Sequence, residues 1–382
     1  MANSDVVVIG GGIVGSCCAY YLAKAGLKVK LVERGSICTE SSKACQGHLF
    51  LWELPEINVK LGRESKKLYH QLAEELDIDI ELRDTGSMSV AENPAGLNTL
   101  KTTIDELHKY GVKCELLDAK EFIKREPNIS PQIVGGGYFP EDGQLNPLLT
   151  TIAIAMAAQK MGVEILTNTE VVGIELSKDK SSVKAIITSR GKIETSTVVN
   201  AAGAWSGLIG EMVGVNIPVI PRKGNLLVVG NVPDNFINCK IILASGYLDS
   251  LKGDKKVAVA ANVQQTSDGS LLLGSSREFA GFDKAVNPEV ISQIAKRCIK
   301  FFPALAGMQT IRSWAGLRPY SPDMLPIISD SAVKGFYVAS GHEGVGITMG
   351  PITGKLITQI IMKQKTDLPV EQLNVSRFAK KK

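Results

Sequence analysis

The sequence predicts an α/β fold: a Rossmann-like unit interrupted by an inserted α+β unit built on a mixed, largely antiparallel sheet. Two observations predict it. A β-branched strand, a glycine turn and a helical stretch follow one another at the start of the chain. This β-α-β patterning then stops near residue 50, resumes near 140, gives way again past 215 and returns at the end. The expected division is 1–50, 140–215 and 316–382 for the Rossmann-like unit, with 51–139 and 216–315 for the insertion.

Asp5 to Ile9 is a short apolar run of the kind buried on both faces of a parallel sheet. Gly10-Gly11-Gly12-Ile13-Val14-Gly15 follows, and helical spacing continues from Ser16 to Ala25. In this grammar Gly10 permits the tight turn and Gly12 lets the backbone approach a pyrophosphate. Gly15 lets the helix sit close on the strand, so that a diphosphate lies at the helix N-terminus. Gly26 closes the helix, and Leu27 to Val32 is the second strand, ending at Glu33 about 20 residues past the fingerprint. A carboxylate there accepts hydrogen bonds from ribose hydroxyls and repels a 2′-phosphate, which points to an adenosine dinucleotide other than NADP. A glycine hexad alone is weak evidence; the strand, helix and distal acid around it make it specific.

From Leu51 to about Gly135 the pattern turns mixed: a helix over 58–76, strand-like Ile80–Arg83 and Ser87–Ala91, and a helix 118–125 with Asp118 as N-cap. Asn146-Pro147 opens an apolar helix to Met161, closed by Gly162 and followed by the strand Val163–Leu166. Residues 182–188 and 193–197 form a hairpin around Arg190-Gly191, and Val198-Val199-Asn200 leads into the small-residue run Ala201-Ala202-Gly203-Ala204-Trp205-Ser206. A strand-rich stretch over 218–281 and a helix over 288–301 precede Gly316-Leu317-Arg318-Pro319, where an arginine stands among apolar neighbours. The chain then repeats the opening device: a strand over 335–340, the loop Gly341-His342-Glu343-Gly344-Val345-Gly346, and an apolar helix from Ile347 to Met362. The spacing of this second loop is not that of a second dinucleotide site, but its helix start can face a ring oxygen or a phosphate.

Composition excludes several classes. A formal charge of +4 with basic residues scattered among 39 acids leaves no nucleic-acid stripe, and Lys380-Lys381-Lys382 reads as a solvated end. No apolar run reaches bilayer length and no secretory leader is legible, so the expectation is a cytoplasmic protein without a transmembrane segment. Seven cysteines without a C-x-x-C pair suggest buried thiols, with no metal expected.

These segments together resemble the D-amino-acid oxidase, glycine oxidase and sarcosine oxidase superfamily of flavoproteins over nearly the whole chain. The resemblance rests on GGGIVG with Glu33, the Ser41-Ser42 to Gly47 stretch, Asn146-Pro147, the run from Thr169 to Ile174, VVNAAGAWS, GLRP and the closing glycine loop. The closing HEGVGITMGPITGKLI and Ser376-Arg377-Phe378 are most similar to β subunits of dye-linked dehydrogenases for proline, hydroxyproline, opines or glycine. The resemblance implies FAD. Val171 and Val172 would meet the adenine through their backbone, Ala202 and Gly203 the diphosphate, and Ser41, Ser42 and Gly47 the flavin. Gly341, His342, Glu343, Gly344, Val345, Gly346, Ile347 and Thr348 would close over the ring. Ile13, Val14, Arg34, His48 and Trp205 are further expected cofactor contacts. Arg318 matches the arginine that grips a substrate carboxylate, and its planar fork suits that task in a desolvated pocket better than lysine would.

One departure bears on attachment. The cysteine that monomeric sarcosine oxidases use to link flavin has no counterpart in Gly316 to Tyr320, and His48 follows Gly47 instead of preceding it. Noncovalent FAD is therefore expected, and His48 and His342 read as packing or ring-facing groups. The expected reaction is oxidation of the C–N bond of a small amino acid or secondary amine, such as proline, hydroxyproline, glycine or sarcosine, by hydride transfer to flavin. The protein would be the catalytic β subunit of a multi-subunit dehydrogenase with an electron-accepting α subunit. The alternatives are a stand-alone glycine or D-amino-acid oxidase making hydrogen peroxide, an NAD-dependent dehydrogenase, and a non-catalytic flavin-binding subunit.

Overall fold

The computed structural model describes residues 4–230, 232–233, 235–244 and 257–379. The basic end Lys380–Lys382 lies outside the described residues.

β1 (Val6–Ile9) is fully buried and pairs in parallel with β2 (Val29–Val32) on one side and with Val198–Asn200 on the other. The sheet extends through Glu164–Leu166 at one edge and through Phe336–Ser340 to the antiparallel edge strand Ile327–Ser329 at the other. Helix α1 (Ile13–Lys24) packs on this sheet through Ile13, Cys17, Tyr20 and Leu22, against the helices Pro147–Lys160 and Gly346–Ile361. A three-stranded antiparallel sheet of Val171–Leu176, Val183–Thr188 and Gly191–Glu194 covers its opposite face, with Val171, Val183 and Ile186 meeting Val7, Ile9 and Val32.

The inserted unit carries an eight-stranded sheet ordered Thr310–Tyr320, Ile220–Val229, Leu271–Glu278, Val257–Gln265, Ile241–Ala244, Ser87–Ala91, Gly135–Phe139, Glu115–Asp118. Every pairing in it is antiparallel except that of Ile241–Ala244 with Ser87–Ala91. Mixed and largely antiparallel is what the sequence predicts. The helix Pro288–Phe301 seals one face with Val290, Ile294, Cys298 and Phe301.

Three helices start with the same dipeptide, Asn-Pro. Asn93 accepts from Gly96 N, Asn146 from Leu148 N and Leu149 N, and Asn287 from Glu289 N and Val290 N, while the proline supplies a first position that needs no N–H. Asp118 caps Ala119–Arg125 in the same way through Glu121 N, as expected. The helix Pro94–Lys109 is the one the sequence reading did not pick out, although its cap is of this kind.

Two expected strands differ. Ile80–Arg83 forms only an isolated bridge, Arg83 to Gln144, because Glu81 adopts a left-handed φ of 56° in a turn closed by Asp79 Oδ1 on its own N–H. The second hairpin strand runs over Gly191–Glu194 instead of 193–197, since Thr195 Oγ1 accepts from Thr197 N and turns the chain out of the sheet. The units also interlock. The helix Glu56–Glu75, within the stretch expected for the insertion, buries Ile57, Leu61, Leu68 and Tyr69 in the core of α1, and Tyr69 Oη donates to Ile347 O at 2.5 Å. Strand Thr310–Tyr320 pairs along Ile220–Val229 across the boundary expected at 316. Among the described residues no helix is long and apolar enough to cross a membrane.

Candidate functional site

The turn after β1 is shaped by its glycines. Gly10 has φ +110°, and a Cβ there would stand 2.5 Å from Ala201 O; one on Gly15 would stand 1.8 Å from Gly10 O. A Cβ on Gly12 would instead meet only Ser42 Oγ, at 3.1 Å, so this glycine presents bare backbone to a cleft. Helix α1 begins there with no acidic side chain in its first turn, and Ser42 Oγ accepts from Ile13 N at 3.0 Å. The first turn of a helix offers N–H groups without intrahelical partners, so this cradle suits a diphosphate. Glu33, at the end of β2, spans the same loop: its Oε2 accepts from Gly11 N and its Oε1 from Gly35 N, both at 2.7 Å.

The cleft lies beyond the carboxyl ends of the parallel strands, where open α/β sheets bind ligands. Of the expected residues, Gly10, Gly12, Ile13, Val14, Glu33, Arg34, Ser41, Ser42, Val171, Ala202, Gly203, Trp205, Arg318, His342, Glu343, Gly344, Gly346 and Ile347 line it. Arg34 stacks on Trp205, 3.8 Å from the ring centroid, and binds Glu40 Oε1 at 2.9 Å. Gly47 and His48 line a smaller cavity that shares Ser41, Cys45, Arg318, Gly344 and Ile347. Gly15, Val172, Gly341, Val345 and Thr348 line neither. Gly15 lies behind the turn, Val172 is 55% exposed, and Val345 is in the core. Gly341 packs on Ser321, and Thr348 Oγ1 donates to His48 O at 3.1 Å.

Arg318 belongs to the strand Thr310–Tyr320, in register with Arg222, and its Nη1 donates to Ser276 O at 2.9 Å. Glu343 turns back toward it through a left-handed φ of 46°, its N–H held by Pro319 O at 3.0 Å. Its Oε1 lies 3.3 Å from Arg277 Nε and 3.5 Å from Arg222 Nη1, with all three side chains buried. Burial pushes the Glu343 carboxyl up, but the guanidiniums of Arg277, Arg318 and Arg222 outweigh it and hold the group below the usual carboxylate range. Sequence reading missed Arg222 and Arg277, because they are distant in the chain and lie in strands whose pairing alone brings them to Glu343. Burial lowers His48 to about 3 and His342 to about 4, so both rings are neutral near pH 7. His342 Nε2 shares a 2.9 Å hydrogen bond with Thr353 Oγ1, which fits a packing role.

Fold and site together define a dinucleotide-binding α/β protein with a cationic cavity beside the cleft. The profile of the family described as FAD dependent oxidoreductase (DAO) matches residues 5–360. The chain belongs to that family. The glycine oxidase of Geobacillus kaustophilus is 27% identical over 98% of this chain and 97% of its own length. Hydrogen cyanide synthase subunit HcnC of Pseudomonas protegens is 28% identical over 98% and 96%. Among solved structures, L-proline dehydrogenase from P. horikoshii superposes with a TM-score of 0.89 at 29% identity, covering 98% of both chains. FAD is thus the cofactor of the family, and the open backbone at Gly12, the acid-free first turn of α1 and a cleft lined from Glu33 and Val171 to Arg318 fit it.

Proposed function

We propose that this chain oxidises the C–N bond of a small amino acid or secondary amine, with FAD held noncovalently in the cleft and Arg318 binding the substrate carboxylate. The observation that carries it is the position of Arg318 where the cleft meets the small cavity, inside an arginine-rich pocket. FAD, when bound, would supply the acceptor for the hydride that leaves the carbon bearing the amine.

The remaining work falls to the chain. Gly12 and the start of α1 would hold the diphosphate, Glu33 the ribose, and Ser41, Ser42 and Gly344 to Ile347 would border the ring. The Arg318 guanidinium fixes the carboxylate, which orients the reacting carbon and excludes water from the cavity. A neutral amine needs no dedicated base, in keeping with two buried histidines that stay uncharged. Glu343 balances part of the arginine charge and offsets the mutual repulsion of the guanidiniums that surround it.

The chain would act as the catalytic subunit of a larger dehydrogenase that passes electrons to a second subunit. This reading is supported by the resemblance of the closing segment to β subunits and by a relative that is itself a subunit by name. The glycine oxidases among its relatives support the second reading, a stand-alone oxidase. The test is anaerobic addition of glycine, sarcosine, L- and D-proline and hydroxyprolines to the FAD-loaded chain, followed by air or an artificial dye. Bleaching of the flavin by one of these, with fast reoxidation only by dye, is the expected result. Rapid stoichiometric peroxide formation in air would establish the oxidase, and no bleaching by any amino acid or amine would refute both. Arg318→Ala should keep FAD and weaken amino acids by about 2–5 kcal/mol, since the substrate charge is left buried without its partner. Decarboxylated amines should be affected far less.

A further inference from the structure

The small cavity next to Arg318 encloses about 70 Å3 and is lined in part by His48, Asn262, Ser275 and Arg277. Asn262 and Ser275 are each 2% exposed. Asn262 Oδ1 and Ser275 Oγ are buried without a hydrogen-bond partner, whereas the His48 ring meets the Gln264 side chain in a hydrogen bond. The Asn262 amide is oriented, because its Nδ2 donates to Gln46 Oε1 at 2.9 Å, and Oδ1 is the atom left over. Asn262 and Ser275 come from the paired strands Val257–Gln265 and Leu271–Glu278, where Asn262 stands opposite Gly274. Buried polar atoms without partners are rare, and two on residues that line one cavity next to the arginine assigned to the carboxylate mark a place built for a polar ligand group.

We propose that this cavity selects a small amino acid bearing a side-chain hydroxyl, the oxygen of which bridges Asn262 and Ser275 while the carboxylate meets Arg318. This rests on the role given to Arg318 above. The chemistry of the orphan atoms chooses the group. Asn262 Oδ1 only accepts, so it demands a donor, and Ser275 Oγ both donates and accepts. A hydroxyl donates and accepts from one atom and satisfies both. A side-chain carboxylate has no proton for Asn262. An ammonium would stand against the like charges of the Arg277 and Arg318 guanidiniums. A hydrocarbon side chain would leave both atoms unsatisfied. His48, kept neutral by burial against the raising effect of its hydrogen bond with Gln264, adds no charge to the cavity.

The experiment uses the FAD-loaded chain under anaerobic conditions and matched pairs: serine against alanine and 4-hydroxyproline against proline, each as both enantiomers. Dissociation constants come from the perturbation of the flavin spectrum, and rates from its bleaching. The hydroxylated member of at least one pair should bind or react about tenfold better than its parent. Ser275→Ala and Asn262→Leu should bring the two members to within about twofold while FAD content and melting temperature stay close to wild type. Parents that match or exceed their hydroxylated partners in every pair would overturn the proposal, as would loss of FAD from either variant, which would make these atoms flavin contacts. If no member of any pair perturbs or bleaches the flavin, the role of Arg318 falls as well; loss of the hydroxyl preference alone leaves that role standing.

Discussion

Replacing Gly12 by valine should weaken FAD binding while sparing the fold, and replacing Gly15 by alanine should destabilise the fold itself. Gly12 has φ −80° and ψ −177°, open to any residue, and its added Cβ meets only Ser42 Oγ at 3.1 Å. The apo protein therefore loses little beyond a favourable N-cap, about 0.5–1 kcal/mol. The branched side chain instead fills the space into which the diphosphate must come. Overpacking of this kind costs about 1–3 kcal/mol, which weakens FAD roughly 5- to 150-fold. At Gly15 the Cβ would lie 1.8 Å from the carbonyl oxygen of Gly10, so the turn or the helix must move whether or not FAD is present. The assay is flavin-to-protein ratio after gel filtration, FAD titration of the apo chain, and melting temperature of the apo forms. A Gly12→Val protein that purifies with a full complement of FAD would refute the reasoning. So would an apo Gly12→Val protein as destabilised as Gly15→Ala, since the loop would then be a structural turn only.

Acid precipitation should release intact FAD into the supernatant; a yellow pellet above a colourless supernatant would show a covalent bond. Glu343→Gln should lower stability by about 3 kcal/mol near neutral pH, because the arginines around it lose a buried counter-charge. The folded carboxyl is held below its usual range, so its contribution is present above about pH 4.5 and is lost as pH falls through the folded value; chemical unfolding against pH should show a shallower acid limb in the variant. Asp142 gives the opposite slope. Burial raises it to about 7 against the lowering effect of hydrogen bonds from Ser87 Oγ, Leu51 N and Trp52 Nε1. Its contribution is full below about pH 3.8 and is lost as pH rises through about 7. Asp142→Asn should abolish that slope and cost about 1–3 kcal/mol, since an NH2 would face donors. An unchanged stability profile in either variant would contradict the assigned cause.

The features legible in the sequence are local in the chain. The glycine turn, the Asn-Pro helix start at Asn146, the cap at Asp118 and the stops at Gly26 and Gly162 each depend on a few neighbouring residues. Such signals survive folding because the backbone geometry they impose is short-range. Arg318 could be singled out because an arginine among apolar neighbours is conspicuous, and a family resemblance gave it a role. The false strand at Ile80–Arg83 shows the limit: the run looked strand-like, but a hydrogen bond from Glu81 N–H to Asp79 Oδ1 and a left-handed Glu81 decided otherwise.

The sequence by itself determined the proposed cofactor cradle, since consecutive backbone groups of one glycine turn would hold the diphosphate and one strand-tip carboxylate, Glu33, the ribose. Only the tertiary structure decided the substrate side. Asn262, Ser275, Arg277 and Arg222 lie on three different strands of the eight-stranded sheet, and Gln46, His48, Arg318 and Glu343 reach them from elsewhere in the chain. No spacing rule connects them. An asparagine or serine in a strand is unremarkable until pairing buries it and leaves one of its polar atoms without a partner, because desolvation depends on everything packed around the atom and not on its sequence neighbours.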